Sequence, residues 1–243
     1  MTYLLNWRLA LANMLADAPD FLLDLGDTFM DEKVGLTNAY YLTRPGIFDL
    51  HREVRAGFFN LIGHSVPLFL INGNHEAELG WLLTGTNSPG VWASEARRHF
   101  FAVPVPGGFY TGATNSDPYT LGPRDGYYAF EWGDALFVAL DPFWYTTVKP
   151  PTGVSDANWG WTLGEAQYRW LVDTLQRSTA RHKLVFIHHL VGGLDKDARG
   201  GVEAASFYEW GGRTADGTDG FAARHFDNLK LRESEEMKTD RAH

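Results

Sequence analysis

The chain has 243 residues, a formal net charge of −9 and no cysteine. The negative balance argues against broad electrostatic capture of nucleic acid, and the missing cysteines exclude disulfides, thiolate metal centres and cysteine nucleophiles, so any metal has to be held by Asp, Asn, Glu or His. With 44% hydrophobic and 21% charged residues, the composition fits one globular domain, placed at residues 1–226, followed by a charged tail at 227–243.

In chain order, Leu4, Trp7, Leu11 and Leu15 recur at helical spacing and predict an amphipathic helix that Pro19 ends. Phe21-Leu22-Leu23-Asp24-Leu25 then reads as a short buried strand closed by Gly26-Asp27. Pro67–Ile71 repeats that pattern and ends at Asn72-Gly73-Asn74-His75, and Lys183–Ile187 repeats it again, ending at His188-His189. Between these, Tyr127–Trp132 and Leu136–Leu140 predict an antiparallel hairpin turned at Gly133-Asp134. Glu165–Ser178, with Tyr168, Leu171, Val172 and Leu175 on one face, predicts an amphipathic helix. Residues 89–123 and 142–161 are rich in Gly, Pro and aromatics without periodicity, and long ordered loops able to wall a cleft are expected there. Their Trp144, Tyr145, Trp159 and Trp161 are expected to anchor the loops to the core, with no role in the site. The sum is an α/β fold, a mixed sheet flanked by helices. No apolar run is long enough to cross a bilayer and no basic-then-apolar segment follows Met1. A soluble chain without its own signal peptide is therefore expected, in a compartment left open, since a longer parent protein can be secreted or periplasmic.

Sites in open α/β sheets are built at the carboxyl ends of strands, and here three apolar strands end in metal-capable side chains. Asp27 supplies a carboxylate able to bridge cations, Asn74 a neutral oxygen, and His75 an imidazole that can contact a phosphoryl oxygen or protonate a leaving alkoxide. Successive strand residues face opposite ways, so one of His188 and His189 faces the site, and His188 is the choice. Oxygen and imidazole donors together suit Mn, Fe or Zn better than Ca or Mg.

Gly26-Asp27, Gly73-Asn74-His75-Glu76 and Phe186-Ile187-His188-His189, in this order and each after a strand, resemble the calcineurin-like metallophosphoesterases. The resemblance covers about Phe21 to His189. It implies a sandwich of two mixed sheets flanked by helices, two metal ions (Mn, Fe or Zn), and hydrolysis of a small phosphate ester by a metal-activated hydroxide. It makes Asp27 the bridging carboxylate, Asn74 and His188 ligands of the second metal, and His75 the residue that contacts the phosphate and helps the leaving group. The chain departs from the family pattern in two blocks: no strand bearing Asp-x-His precedes the first helix, and no Gly-His-x-His follows His189. The fold is therefore expected to be incomplete, with an upstream strand cut away and one metal in this chain, His225 and His243 being the substitutes at hand for the missing ligands. Met30 stands where purple acid phosphatases have a tyrosine ligand, so a purple chromophore is not expected. The rival expectations are a catalytically silent fragment that keeps the fold and at most one metal, and a non-enzymatic binding module that uses the aromatic loops.

Overall fold

The computed structural model describes residues 2–119, 121–149 and 163–188. Strand β1 (Leu22–Asp24) pairs in parallel with β2 (Leu68–Leu70), placing Leu23 beside Phe69. Strands β3 (Thr111–Gly112), β4 (Tyr128–Trp132), β5 (Ala135–Leu140) and β6 (His182–Ile187) form a second sheet in that order. Its pairs are antiparallel except β5–β6, which is parallel. The predicted hairpin is present, with Trp132 paired to Ala135 around Gly133, whose φ of 63° suits a residue without Cβ.

Side-chain alternation along the strands sorts the core into layers. Phe69 and Ile71 meet Tyr128, Phe130 and Ala139 in one buried cluster, joined by Phe21, Leu23, Phe137 and Phe186, so the two sheets face each other. The alternate residues Leu68 and Leu70 point the other way, to Phe29, Val54, Phe59 and Phe101. Beyond the larger sheet, Leu136, Val138 and Leu140 pack on Trp170, Leu171 and Leu175 of helix α5 (Gly164–Arg177). The α/β class follows. No helix among the described residues is long and apolar enough to cross a membrane.

Helix α1 (Thr2–Ala16) seats Trp7, Leu11 and Leu15 against Ile62 and Val66, as its spacing predicts, while Leu5 and Leu9 remain exposed. Two short chain segments follow as helices α2 (Asp31–Gly35) and α3 (Arg44–Gly57). The expectation of loop throughout 89–123 is corrected by helix α4 (Pro89–Phe100), which starts with Pro at its first turn, where the missing N–H costs nothing. Its buried face consists of Gly90, Val91, Ala93, Ser94, Ala96 and Arg97, mostly small residues and a cation, with Val91 the one larger apolar side chain among them. The charged segment 227–243, Trp159 and Trp161 lie outside the described residues.

Helix α3 buries His51, whose ring stacks on Phe29 at 4.0 Å and whose Nδ1–H donates to the Ile47 carbonyl at 2.9 Å. The 3.8 Å approach of Nδ1 to Asp31 Oδ1 is longer than a hydrogen bond, and burial works against charge on both partners, holding His51 down to about 4 and pushing the Asp31 carboxyl well up. A histidine depressed in the folded state keeps the protein stable above its ordinary value near 6.5 and loses that stability as the pH falls toward about 4. The gap corresponds to about 3 kcal/mol. Urea midpoints at pH 7 and pH 4.5 should therefore converge in a His51→Gln variant relative to the parent chain.

Candidate functional site

The loops after β1 and β2 cross at two glycines. A Cβ on Gly26 would strike the backbone of Gly73, and one on Gly73 would strike the backbone of Asp27, so only bare backbone lets the loops touch. Past the crossing, Asp27 takes a left-handed conformation with φ 58°, which Asp tolerates better than most residues. Its Oδ1 accepts the His75 N–H at 3.0 Å. Glu76, buried beneath, ties both loops together by accepting the N–H groups of Asp27 (2.9 Å), Thr28 (2.6 Å), Phe29 (3.1 Å) and Gly73. Burial and the nearby Asp27 charge push the Glu76 carboxyl up to about 7, against the pull of those N–H groups. Asp24, the last residue of β1, accepts from the Gly26 N–H at 3.1 Å and from the Thr28 hydroxyl.

The larger sheet brings His188 to the same place. His188 Nδ1–H donates to the Leu25 carbonyl at 2.8 Å, which fixes the ring and turns Nε2 toward Asn74 Oδ1 (3.1 Å) and Asp27 Oδ2 (3.4 Å). A neutral ring in this tautomer would aim its lone pair at two oxygen lone pairs, an arrangement that calls for a proton or a cation between them. The titration follows that geometry. Burial disfavours the His188 cation, but the hydrogen bond and charge of Asp27 and the Leu25 carbonyl outweigh it and raise the imidazole above its ordinary value. Burial likewise pushes Asp27 up, and the His188 bond and charge, with His75, overcome it and hold the carboxyl below its usual range.

Asp27, Asn74 and His188, the three ligands expected from sequence, thus converge, and their donor set fits a cation. His188 and Asp27 side chains keep 17% and 26% of their surface accessible, so the place can be reached from solvent. Asn74 contributes an amide oxygen, and among the described residues no group of three or more His, Cys, Asp and Glu side chains forms a metal cluster. Asp49-Leu50-His51 spells Asp-x-His, but it lies in α3, with Asp49 bonded to Arg52 and His51 buried against Phe29. His189, His225 and His243 lie outside the described residues. Met30 has φ 59° and precedes α2.

His75 sits at the rim of this cluster. Its Nδ1 is 2.9 Å from Glu32 Oε2, and Lys149 Nζ donates to the other Glu32 oxygen at 2.9 Å. Burial raises the Glu32 carboxyl, but the bonds from Lys149 and His75 more than offset this and leave it below its ordinary value. An ionised Glu32 fixes Nδ1 of His75 as the donor nitrogen and leaves Nε2 for a ligand. Sequence reasoning named His75 and missed Glu32 and Lys149: the partners stand 43 and 117 positions apart in the two pairings, with no local spacing to reveal them.

No protein-family model matches the chain, and no curated protein and no solved structure matches it either. The geometry of the strand ends therefore carries the functional reading.

Proposed function

We propose that the chain hydrolyses a small phosphate ester in a metal-dependent reaction of the calcineurin-like type, through Asp27, Asn74, His75 and His188. What supports the reading is the meeting of one carboxylate, one amide oxygen and one imidazole nitrogen from three strand ends, within 3.1 to 3.4 Å of His188 Nε2. A bound Mn, Fe or Zn would supply positive charge for phosphoryl oxygens and an acidified water. Asp27 would neutralise part of that charge, Asn74 and His188 would offer their donor atoms to it, and the Leu25 carbonyl keeps His188 Nε2 turned inward. His75 offers its Nε2 to a phosphoryl or leaving oxygen while Glu32 holds Nδ1.

Metal content after reconstitution with Mn, Zn or Fe, measured beside turnover of chromogenic phosphate mono- and diesters, tests this. One or more metals per chain with chelator-sensitive turnover is expected. A second reading, a folded but silent chain holding at most one metal, is favoured by the absence, among the described residues, of any group of three or more His, Cys, Asp and Glu side chains placed to hold a metal, and one metal without turnover would select it. Turnover that survives chelation would rule out both.

Glu32 acts on substrate only through His75. Glu32→Gln should lower kcat by about 10- to 100-fold, with little change in KM or in metal content. An equal loss of metal would instead show that Glu32 merely supports the loop.

A further inference from the structure

A separate cavity of about 370 Å³ opens beside the site, between the two aromatic loops. Trp81 connects the two places: it lines the cavity, and Lys149, which holds Glu32, sits 5.9 Å from the centre of its ring. One loop contributes Asp117 and Tyr119, the other Trp144 and Tyr145. Tyr119 and Trp144 meet edge to face at 6.0 Å, and the Arg124 guanidinium lies 3.4 Å from the centre of the Trp144 ring.

The charges at the wall oppose each other. Arg124 is bound to Glu78 and Asp141 and disfavours an organic cation; Asp117 disfavours an anion. Asp117 Oδ1 accepts the Tyr119 N–H at 2.6 Å, while its buried Oδ2 meets no hydrogen-bond partner. What remains is an aromatic lining of Trp81, Tyr119, Trp144 and Tyr145, the surroundings of a flat, uncharged ring. The volume lies in the range of small-molecule pockets, about 300–1,000 Å³.

We infer that this cavity binds a planar aromatic ring of nucleobase size, which makes a nucleoside phosphate the substrate class of the neighbouring site. The inference about substrate rests on the proposed phosphoesterase reading, whereas ring binding does not. Lys149, which reaches both the Trp81 ring and Glu32, links the cavity to the side of the site where His75 would meet the leaving oxygen.

The test uses adenosine and methyl glucoside, neither of which carries a phosphate, titrated into the metal-free chain and followed by tryptophan fluorescence and saturation-transfer NMR. Two variants accompany it: Thr147→Trp, which fills the cavity from an exposed position, and Tyr119→Ala, which removes a half-buried wall. Thermal melts confirm that each is folded. Adenosine should bind, at least tenfold more weakly to each variant, and the glucoside should not. No adenosine binding, equal binding by Thr147→Trp, or equally tight glucoside binding overturns the inference. With metal restored, hydrolysis of a nucleoside monophosphate should exceed that of glycerol phosphate at least tenfold in kcat/KM. Hydrolysis without that preference removes the substrate assignment and leaves the phosphoesterase reading intact, and adenosine binding without any hydrolysis does the reverse.

Discussion

Asp27→Asn is expected to abolish metal uptake and ester hydrolysis together, each by about 100-fold or more, since outer-shell partners of a metal alone are worth 10- to 100-fold. The substitution is nearly isosteric. Asn keeps an oxygen for the His75 N–H, so the crossing of the two loops has no reason to open. What disappears is the negative charge facing His188 Nε2 at 3.4 Å. Without it, the burial that disfavours a charged His188 loses its largest counterweight, and a cation loses its one anionic ligand among Asp27, Asn74 and His188. Calorimetric titration with Mn or Zn and a hydrolysis assay on the same preparation would measure both losses. A folded variant that binds metal and turns over like the parent would show that these residues are a hydrogen-bonded strand-end cluster and nothing more.

The site was legible where the chemistry is local. An apolar run that stops at a polar side chain marks a strand end, and three such stops at Asp27, Asn74 and His188 were enough to predict a meeting that the structure realises. Glu76 stood in plain view beside His75, yet nothing in its position tells that its carboxylate would gather N–H groups from both loops. Helix α4 was hidden for a related reason. Its inward face is built from small residues, Val91 and Arg97, and a buried arginine reads as surface until its partners, Glu78 and Asp125, are known. Glu32 and Lys149 escaped altogether, because a hydrogen bond across 117 positions leaves no periodicity behind. Periodicity reports which face is apolar; it does not report how polar groups are paired inside.

Arg97→Met should cost about 3–5 kcal/mol, the usual effect of removing one member of a buried ion pair. Arg97 is 1% exposed and lies between two buried carboxylates. Its Nη2 donates to Glu78 Oε2 at 3.0 Å and to Asp125 at 3.2 Å, while Nε approaches Glu78 Oε1 at 2.6 Å without a directed hydrogen bond. Methionine fills much of the volume but leaves Glu78 with Arg124 and Ser94 alone. By contrast, Arg177→Met removes an exposed pair with Asp173 and should change stability by less than about 1 kcal/mol. The pH dependence separates charge from packing. Burial raises Glu78, but Arg97, Arg124 and Ser94 overcome it and hold the carboxyl down to about 2. A carboxyl depressed in this way adds stability above its ordinary value of 4.5, and that stability is lost as the pH falls toward about 2. In Arg97→Met, Glu78 should take up its proton at higher pH, and once protonated it no longer needs the missing cation. The gap in urea midpoints between parent and variant should thus be widest near pH 7 and narrow below pH 4. A gap that stays constant with pH would mean that Arg97 matters for the space it fills beside Glu78 and Asp125, and that its charge contributes little.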